Sequence, residues 1–513
     1  MARTLPGPAL LALVALLVQT PAPQFKSGVD VVRFDVVVLD TARHPIGGLT
    51  AADFHITENG QPLRIAGFGA VTIPSSTPLA AAPASSTFDP HFDTVTNHRD
   101  EPGRLVVIVM DRTIAYEQSV VTARRIANAA INELGPNDLA AVVFTSGISG
   151  SQPQGFTPDK DRLRAAVASI QMGTPTDVEM TFNGLRRTGP NHPQGECYCG
   201  RCALEKLAVV ADALASVQNY RKMILFIGDD LPISEESAAG RSTECKGLFG
   251  DARDRLVGTV ERANVTVHAF NPRGLETGGL GADAFPSDTR EPAAARMIRE
   301  GNLTFLPELT GGRTIHNTNG PERFVPAVFD ESRTSYVLAI ERAPARKDGR
   351  AHQIKIDVAR PDATVISRTA YLDPMPPSAK KAAPASTDPL ERALEELLPR
   401  TELPLRMTLK ATATKGSSID VTLATPRSAP ASAPARADVL VAVFDEFAKR
   451  VGSERAQVEV PVGGDSRDIA WSMHLNPKPG RYEVRAAVRI GDAIGSITGY
   501  VEVPKVTGRA ESK

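Results

Sequence analysis

The chain of 513 residues has almost no net charge: 58 basic side chains against 59 acidic ones leave a formal -1 at pH 7. No clustered basic stripe offsets that balance, so nothing steers the chain to nucleic acid or acidic lipid, and nucleic acid is excluded as a partner. Long apolar runs are missing beyond the amino terminus, so no transmembrane span is expected after it. Catalytic signatures are missing as well. There is no Gly-x-Ser-x-Gly elbow and no His-Glu-x-x-His. The 9 histidines are scattered, with His91, His98 and His192 in polar, proline-rich loops and His316 at a strand end. Gly278-Gly279-Leu280-Gly281 lacks the strand-to-helix setting of a nucleotide loop and reads as a flexible loop. Asp229-Asp230 forms an acidic pair, but nothing around it suggests a substrate pocket, so an enzyme is not expected.

What is present begins with residues 1–24, which read as an export signal. Arg3 supplies the positive start, and Ala9 to Val18 form an apolar core before Gln19-Thr20, too short to span a bilayer comfortably. An uncleaved anchor is the alternative. No cysteine follows the core, so a lipid-anchored terminus is not supported. The mature chain is expected outside the cytoplasm: in the periplasm, on the envelope or secreted.

Cysteine is scarce in this context, with Cys197, Cys199, Cys202 and Cys245 making up the whole set. An even count in an exported chain reads as disulfides of open pairing. Cys197 and Cys199 pair poorly, because so tight a ring resists disulfide geometry, and Cys245 is expected to staple its own loop to the 197–202 loop. A tetrahedral Zn²⁺ site is the alternative, and a Cys199/Cys202 redox pair the third.

Hydrophobic patterning divides the chain. Residues 25–73 alternate through Val32, Phe34, Val36 and Val38 and turn at Asn59-Gly60, a strand segment with a hairpin. Residues 74–102 fill with Pro, Ala, Ser and Thr and read as a linker. Residues 103–333 alternate apolar strands with helical patterns, which predicts a doubly wound, mostly parallel α/β sheet with helices on both sides. Thr157-Pro158-Asp159 opens one helix, with Thr157 expected as its cap. Residues 334–373 return to strands and are expected to complete one β-sandwich with 25–73, the α/β domain being inserted into it. A second linker covers 374–389. A charged helix near 390–398 then leads into a carboxyl-terminal sandwich of roughly seven strands to 503, and 504–513 form a tail.

The most informative stretch is Leu105–Thr113. An unbroken apolar strand, covered on both faces, runs into Asp111-x-Thr113 at its carboxyl end, where open α/β sheets place their ligands. Residues 103–333 resemble a von Willebrand factor type A domain, as found in VWFA-related exported proteins of acidobacterial type. The flanks resemble that family too, through Leu49-Thr50-Ala51-Ala52-Asp53-Phe54, Glu58-Asn59-Gly60, Ser335-Tyr336-Val337-Leu338 and Arg368-Thr369-Ala370-Tyr371. The resemblance covers about 29–373 and implies a metal-ion-dependent adhesion site on top of the sheet. Carried over, Asp111 takes the first aspartate place, Thr113 the first hydroxyl place and Asp229 the later aspartate, with Asp230 its adjacent alternative. Thr176 or Thr174 takes the threonine place, and Ala115 leaves the second hydroxyl place without a donor. Such a set suits Mg²⁺ or another divalent cation, a hard ion that takes oxygen ligands and keeps several waters. A relic site, whose aspartates bond loop amides instead, is the alternative.

The resemblance thus implies an exported, non-enzymatic protein that binds a protein or matrix ligand through a degenerate adhesion site. A metal-free structural or assembly component of the cell envelope is the second reading, and a hydrolase using Asp111 and Asp229 around a metal the third.

Overall fold

The computed structural model describes residues 31–73, 89–97, 103–111, 114, 117–145, 153–170, 180–182, 185–187, 195–217, 220–233, 243–275, 293–341, 351–372, 386–412, 417–425, 435–446, 449–460 and 471–505. The expected export signal, Thr113, Thr174, Thr176 and the 278–281 loop lie outside the described residues.

In chain order, β1 (Val31–Leu39), β2 (Phe54–Glu58), β3 (Gln61–Leu63), β4 (Ile65–Thr72) and β5 (Phe92–Thr96) come first. Next are β6 (Arg104–Met110), α1 (Glu117–Asn132), β7 (Leu139–Phe144), β8 (Gln154–Thr157), α2 (Lys160–Ala168), and the paired β9 (Met180–Phe182) and β10 (Leu185–Arg187). They are followed by α3 (Gly195–Ala215), β11 (Arg221–Ile227), α4 (Thr243–Ala263), β12 (Thr266–Phe270), α5 (Ala293–Thr310), β13 (Thr314–Ile315) and α6 (Val325–Glu331). Strands β14 (Thr334–Glu341), β15 (Ala351–Val358), β16 (Thr364–Ile366) and β17 (Ala370–Leu372) precede α7 (Pro389–Glu395). The chain closes with β18 (Arg406–Thr412), β19 (Ser418–Ala424), β20 (Ala435–Asp445), β21 (Arg450–Val460), β22 (Trp471–Leu475), β23 (Gly480–Ile490) and β24 (Ala493–Val503).

The central sheet has the order β13-β12-β11-β6-β7-β8, with every pair parallel except β7 and β8. All of β6 is buried because both of its faces are covered. Leu105, Val107 and Val109 pack with Leu204, Leu207, Leu256 and Leu306 of α3, α4 and α5. Val106, Ile108 and Met110 face the other way, onto Ile126, Leu163 and Val328 of α1, α2 and α6. Helix α2 is capped by Asp159, whose carboxylate accepts from the Asp161 and Arg162 amides. Thr157, the expected cap, instead accepts from the Asp159 amide at 3.2 Å, one step earlier in the turn.

Strands from 31–72 and from 334–372 interleave. One sheet runs β16-β1-β14-β4 and the other β17-β15-β2-β3, and they share a core of Phe34, Phe54, Ile56, Tyr336 and Ile356. The β2–β3 turn has Asn59 and Gly60 at φ 49° and 82°, the left-handed pair such a hairpin needs. Thr72 stands opposite Thr334, so the chain leaves this sandwich and re-enters it at adjacent points.

The second sandwich faces β22-β19-β18-β5 against β21-β20-β23-β24 over Met407, Leu409, Val421, Val441, Val484 and Ile497. Here one expectation is corrected. The 74–102 stretch is not simply a linker, because Phe92–Thr96 pairs antiparallel with β18 and completes the sheet. Its pattern hides this: an aspartate, Asp93, takes a buried position and accepts from the Tyr500 amide at 2.9 Å. Strand β21 runs from Arg450 to Val460, and as an edge strand it leaves the consecutive polar residues Ser453, Glu454 and Arg455 exposed on both of its faces. Helix α7 covers the outer face of the second sheet through Leu390 and Leu394 on Leu440, Ala487 and Ile494.

Polar contacts join the three units. Arg481 donates to the Pro153 carbonyl at 3.0 Å and to Gln154, and Arg162 donates to the Phe92 carbonyl at 3.1 Å. At the opposite joint Arg368 donates to the Glu261 and Arg33 carbonyls and stacks over Phe34 at 4.5 Å, while Arg221 pairs with Asp35 at 3.5 Å.

Candidate functional site

The site grows out of the way the central strands end. Beyond the last ladder residues, each successive residue donates its amide to the final carbonyl of the neighbouring strand. Thr145 donates to Met110 at 3.2 Å, Asp111 to Ile227 at 2.8 Å, Gly228 to Phe270 at 3.1 Å and Asn271 to Ile315 at 2.8 Å. This staircase lines up Thr145, Asp111, Gly228-Asp229 and Asn271 along the carboxyl edge of the sheet. Gly228 is required there, since a Cβ on it would lie 2.8 Å from Asp111 Cβ and 2.8 Å from the Phe226 ring.

Asp111 and Asp229 are thereby brought together, and both are buried, at 2% and 4% exposure. Neither carboxylate stands open. Thr145 Oγ1 donates to Asp111 Oδ1 at 2.8 Å. Arg273 sends Nε and Nη2 to Asp229 Oδ2, each at 2.7 Å, and Arg299 donates to the Asp229 carbonyl at 3.3 Å. Asp230, the alternative for the later aspartate, turns to Asn302, whose Nδ2 donates to Oδ1 at 2.9 Å. Burial pushes the Asp230 carboxyl up to about 6, with the Asp229 charge adding to the shift and the Asn302 amide and Arg299 opposing it.

Arg273, Arg299 and Asn302 were not visible as site residues in the sequence. Their signal was local and weak. Asn271-Pro272-Arg273-Gly274 comes directly after the apolar strand β12, and Asn271 Oδ1 accepts from the Arg273 amide at 2.9 Å. That side-chain turn, with proline next and Gly274 at φ 86°, fixes where Arg273 starts. Arg299 and Asn302 sit three apart on α5, on one face of the helix.

A divalent cation needs several oxygens with open lone pairs. Among the described residues no group of three or more His, Cys, Asp or Glu side chains is placed to hold a metal. The two expected aspartates are described, and Asp229 already carries the Arg273 guanidinium on Oδ2. As they stand, the described residues do not fit the cation; Thr113 and Thr176 lie outside them.

The four cysteines fall on helices, not in the loops expected. Cys197, Cys199 and Cys202 lie in the opening turns of α3 and Cys245 in the first turn of α4, two helices that pack against each other. No proline interrupts the run from Gly195 to Leu204, so the helix extends back through the cysteine cluster. Their side chains lie outside the described residues. Among the described residues no helix is long and apolar enough to cross a membrane.

No family model matches the chain, and no curated protein does. Among solved structures the chain is similar to the VWA domain of SpRpn10, at 15% identity over 33% of this chain and 74% of that one, with a TM-score of 0.19. It is also similar to the manganese-loaded TRAP protein of Plasmodium vivax, at 12% identity over 54% and 96%, with a TM-score of 0.23. A glycosyl hydrolase family 2 member from Bacteroides cellulosilyticus matches at 10% identity over 33% and 19%, with a TM-score of 0.16. Likeness at such scores carries no weight for function.

Proposed function

We propose that this chain is an exported, non-enzymatic interaction protein whose von Willebrand A-like α/β domain docks a protein or matrix partner at the carboxyl ends of its strands. The sandwiches act as spacers. One observation carries the reading: Thr145, Asp111, Asp229 and Asn271 converge along that edge, and the two aspartates are engaged by Thr145 and Arg273 and so are not poised for acid–base work. Ligands of open α/β sheets bind outside the carboxyl ends of the strands. Exposed apolar side chains at the same end support a protein partner. Leu275 lies just after β12 and is 50% exposed, and Met297, near the start of α5, is 72% exposed.

The second reading, an envelope assembly component docking through its sandwiches, is favoured by Phe92 and Val451, each 47% exposed on the second sandwich. Immobilised protein and envelope extract separate the two. The Leu275→Arg/Met297→Arg variant is expected to lose the captured partner, and Val451→Arg to keep it. Loss only with Val451→Arg would transfer the interface to the sandwich.

A further inference from the structure

We propose that Arg273 takes the place of the divalent cation at Asp229, so that this carboxylate is neutralised by the protein itself and the edge it forms with Asp111 works without metal. The inference shares its location with the docking reading and rests on that reading only for its purpose.

Three features carry it. The guanidinium is committed: Nε and Nη2 both reach Asp229 Oδ2 at 2.7 Å, and the pair is largely buried, with 21% of the Arg273 side chain and 6% of the Asp229 side chain exposed. An ion taking that oxygen would lie beside the guanidinium, where like charges repel strongly under partial burial. The arginine is also preset. Its backbone is held by Asn271 Oδ1 in a turn anchored on Ile315, so the side chain leaves the sheet edge already aimed at the neighbouring strand's loop. The aspartate is preset as well, because Arg299 holds its carbonyl and Asn302 holds Asp230 next to it. A flexible surface arginine would be displaced by metal at little cost. This one is part of the wall.

Removing the guanidinium would reverse the situation. Asp111 and Asp229 would then be two buried carboxylates on adjacent strand ends with one cationic partner fewer. That is the arrangement a hard cation fills.

The test uses the full chain, Mn²⁺ and EDTA, read by thermal melting and by the electron paramagnetic resonance of free Mn²⁺. Wild type is expected to melt at the same temperature in both and to leave the Mn²⁺ signal undiminished at millimolar concentration. Arg273→Gln is expected to melt lower in EDTA, to regain several degrees in Mn²⁺ and to deplete the free signal with one saturable site. Adding Asp111→Ala to that variant should abolish the response. Should Arg273→Gln fail to fold, Arg273→Gln/Asp229→Asn, which removes both charges, is expected to fold without Mn²⁺. Wild type binding Mn²⁺ in an Asp111-dependent way would overturn the proposal. So would a folded Arg273→Gln that ignores Mn²⁺, or a double variant that still needs it. None of these outcomes depends on capturing a partner, so failure here leaves the docking reading to its own test.

Discussion

Acid should destabilise this protein through one buried imidazole. His268 lies in β12, 5% exposed, and its Nδ1 accepts from the Arg313 amide at 3.1 Å. Burial, with Arg221 and Arg313 nearby, holds its pKa down to about 3 against an ordinary value of 6.5. The folded ring is therefore neutral where the unfolded ring has already taken a proton. Between pH 6.5 and 3 the unfolded state binds more protons, so stability falls as pH falls. From those two values the loss between pH 7 and pH 4.5 is about 2.5 kcal/mol, and it hardly changes while the folded value stays below about 4. Asp93 and Glu261, whose carboxyls burial pushes up, titrate in the opposite sense over part of that range, so wild type alone does not isolate the ring. The difference between wild type and His268→Asn does, since asparagine can still accept from Arg313 and has nothing to titrate. Urea unfolding of both, monitored by far-UV circular dichroism at pH 7, 5.5 and 4.5, should show that difference moving by about 2.5 kcal/mol in favour of the variant as pH drops. A difference that stays constant to within about 0.5 kcal/mol would refute the reasoning.

The joints between units give two further predictions. Arg368→Met strips two carbonyls of their donor and leaves Asp35 and Glu261 short of a buried cation, which should cost about 3 kcal/mol by urea unfolding. A loss under about 1 kcal/mol would mean that water takes over the arginine's place. Gly155→Ala drives a Cβ to 2.2 Å from Tyr500 Oη. It should lower stability by about 1–3 kcal/mol, and Gly155→Ala/Tyr500→Phe, which removes that oxygen, should recover most of it.

Much of the fold could be read from apolar spacing. The run Leu105–Met110 has no polar interruption and is buried throughout, and the alternation at Phe34, Val36 and Val38 marks the inward side of β1. Asn59-Gly60 marks its hairpin because few other residues adopt left-handed angles in succession. What escaped reading was long-range. Phe92–Thr96 is five residues long with a buried aspartate, and only its partner β18, some three hundred positions later, makes it a strand. Asp111 and Asp229 were legible because they end apolar strands; Arg273 was not, because its role depends on two strands lying side by side. Spacing along the chain names acids more readily than the base that will neutralise them.

The most direct measurement is anomalous diffraction from crystals of the full chain grown in millimolar MnCl₂. No manganese peak is expected between the Asp111 and Asp229 carboxylates, and the Arg273 guanidinium should remain on Asp229 Oδ2 as it is here. A peak bridging the two aspartates, with Arg273 swung out to solvent, would contradict a self-neutralised Asp229.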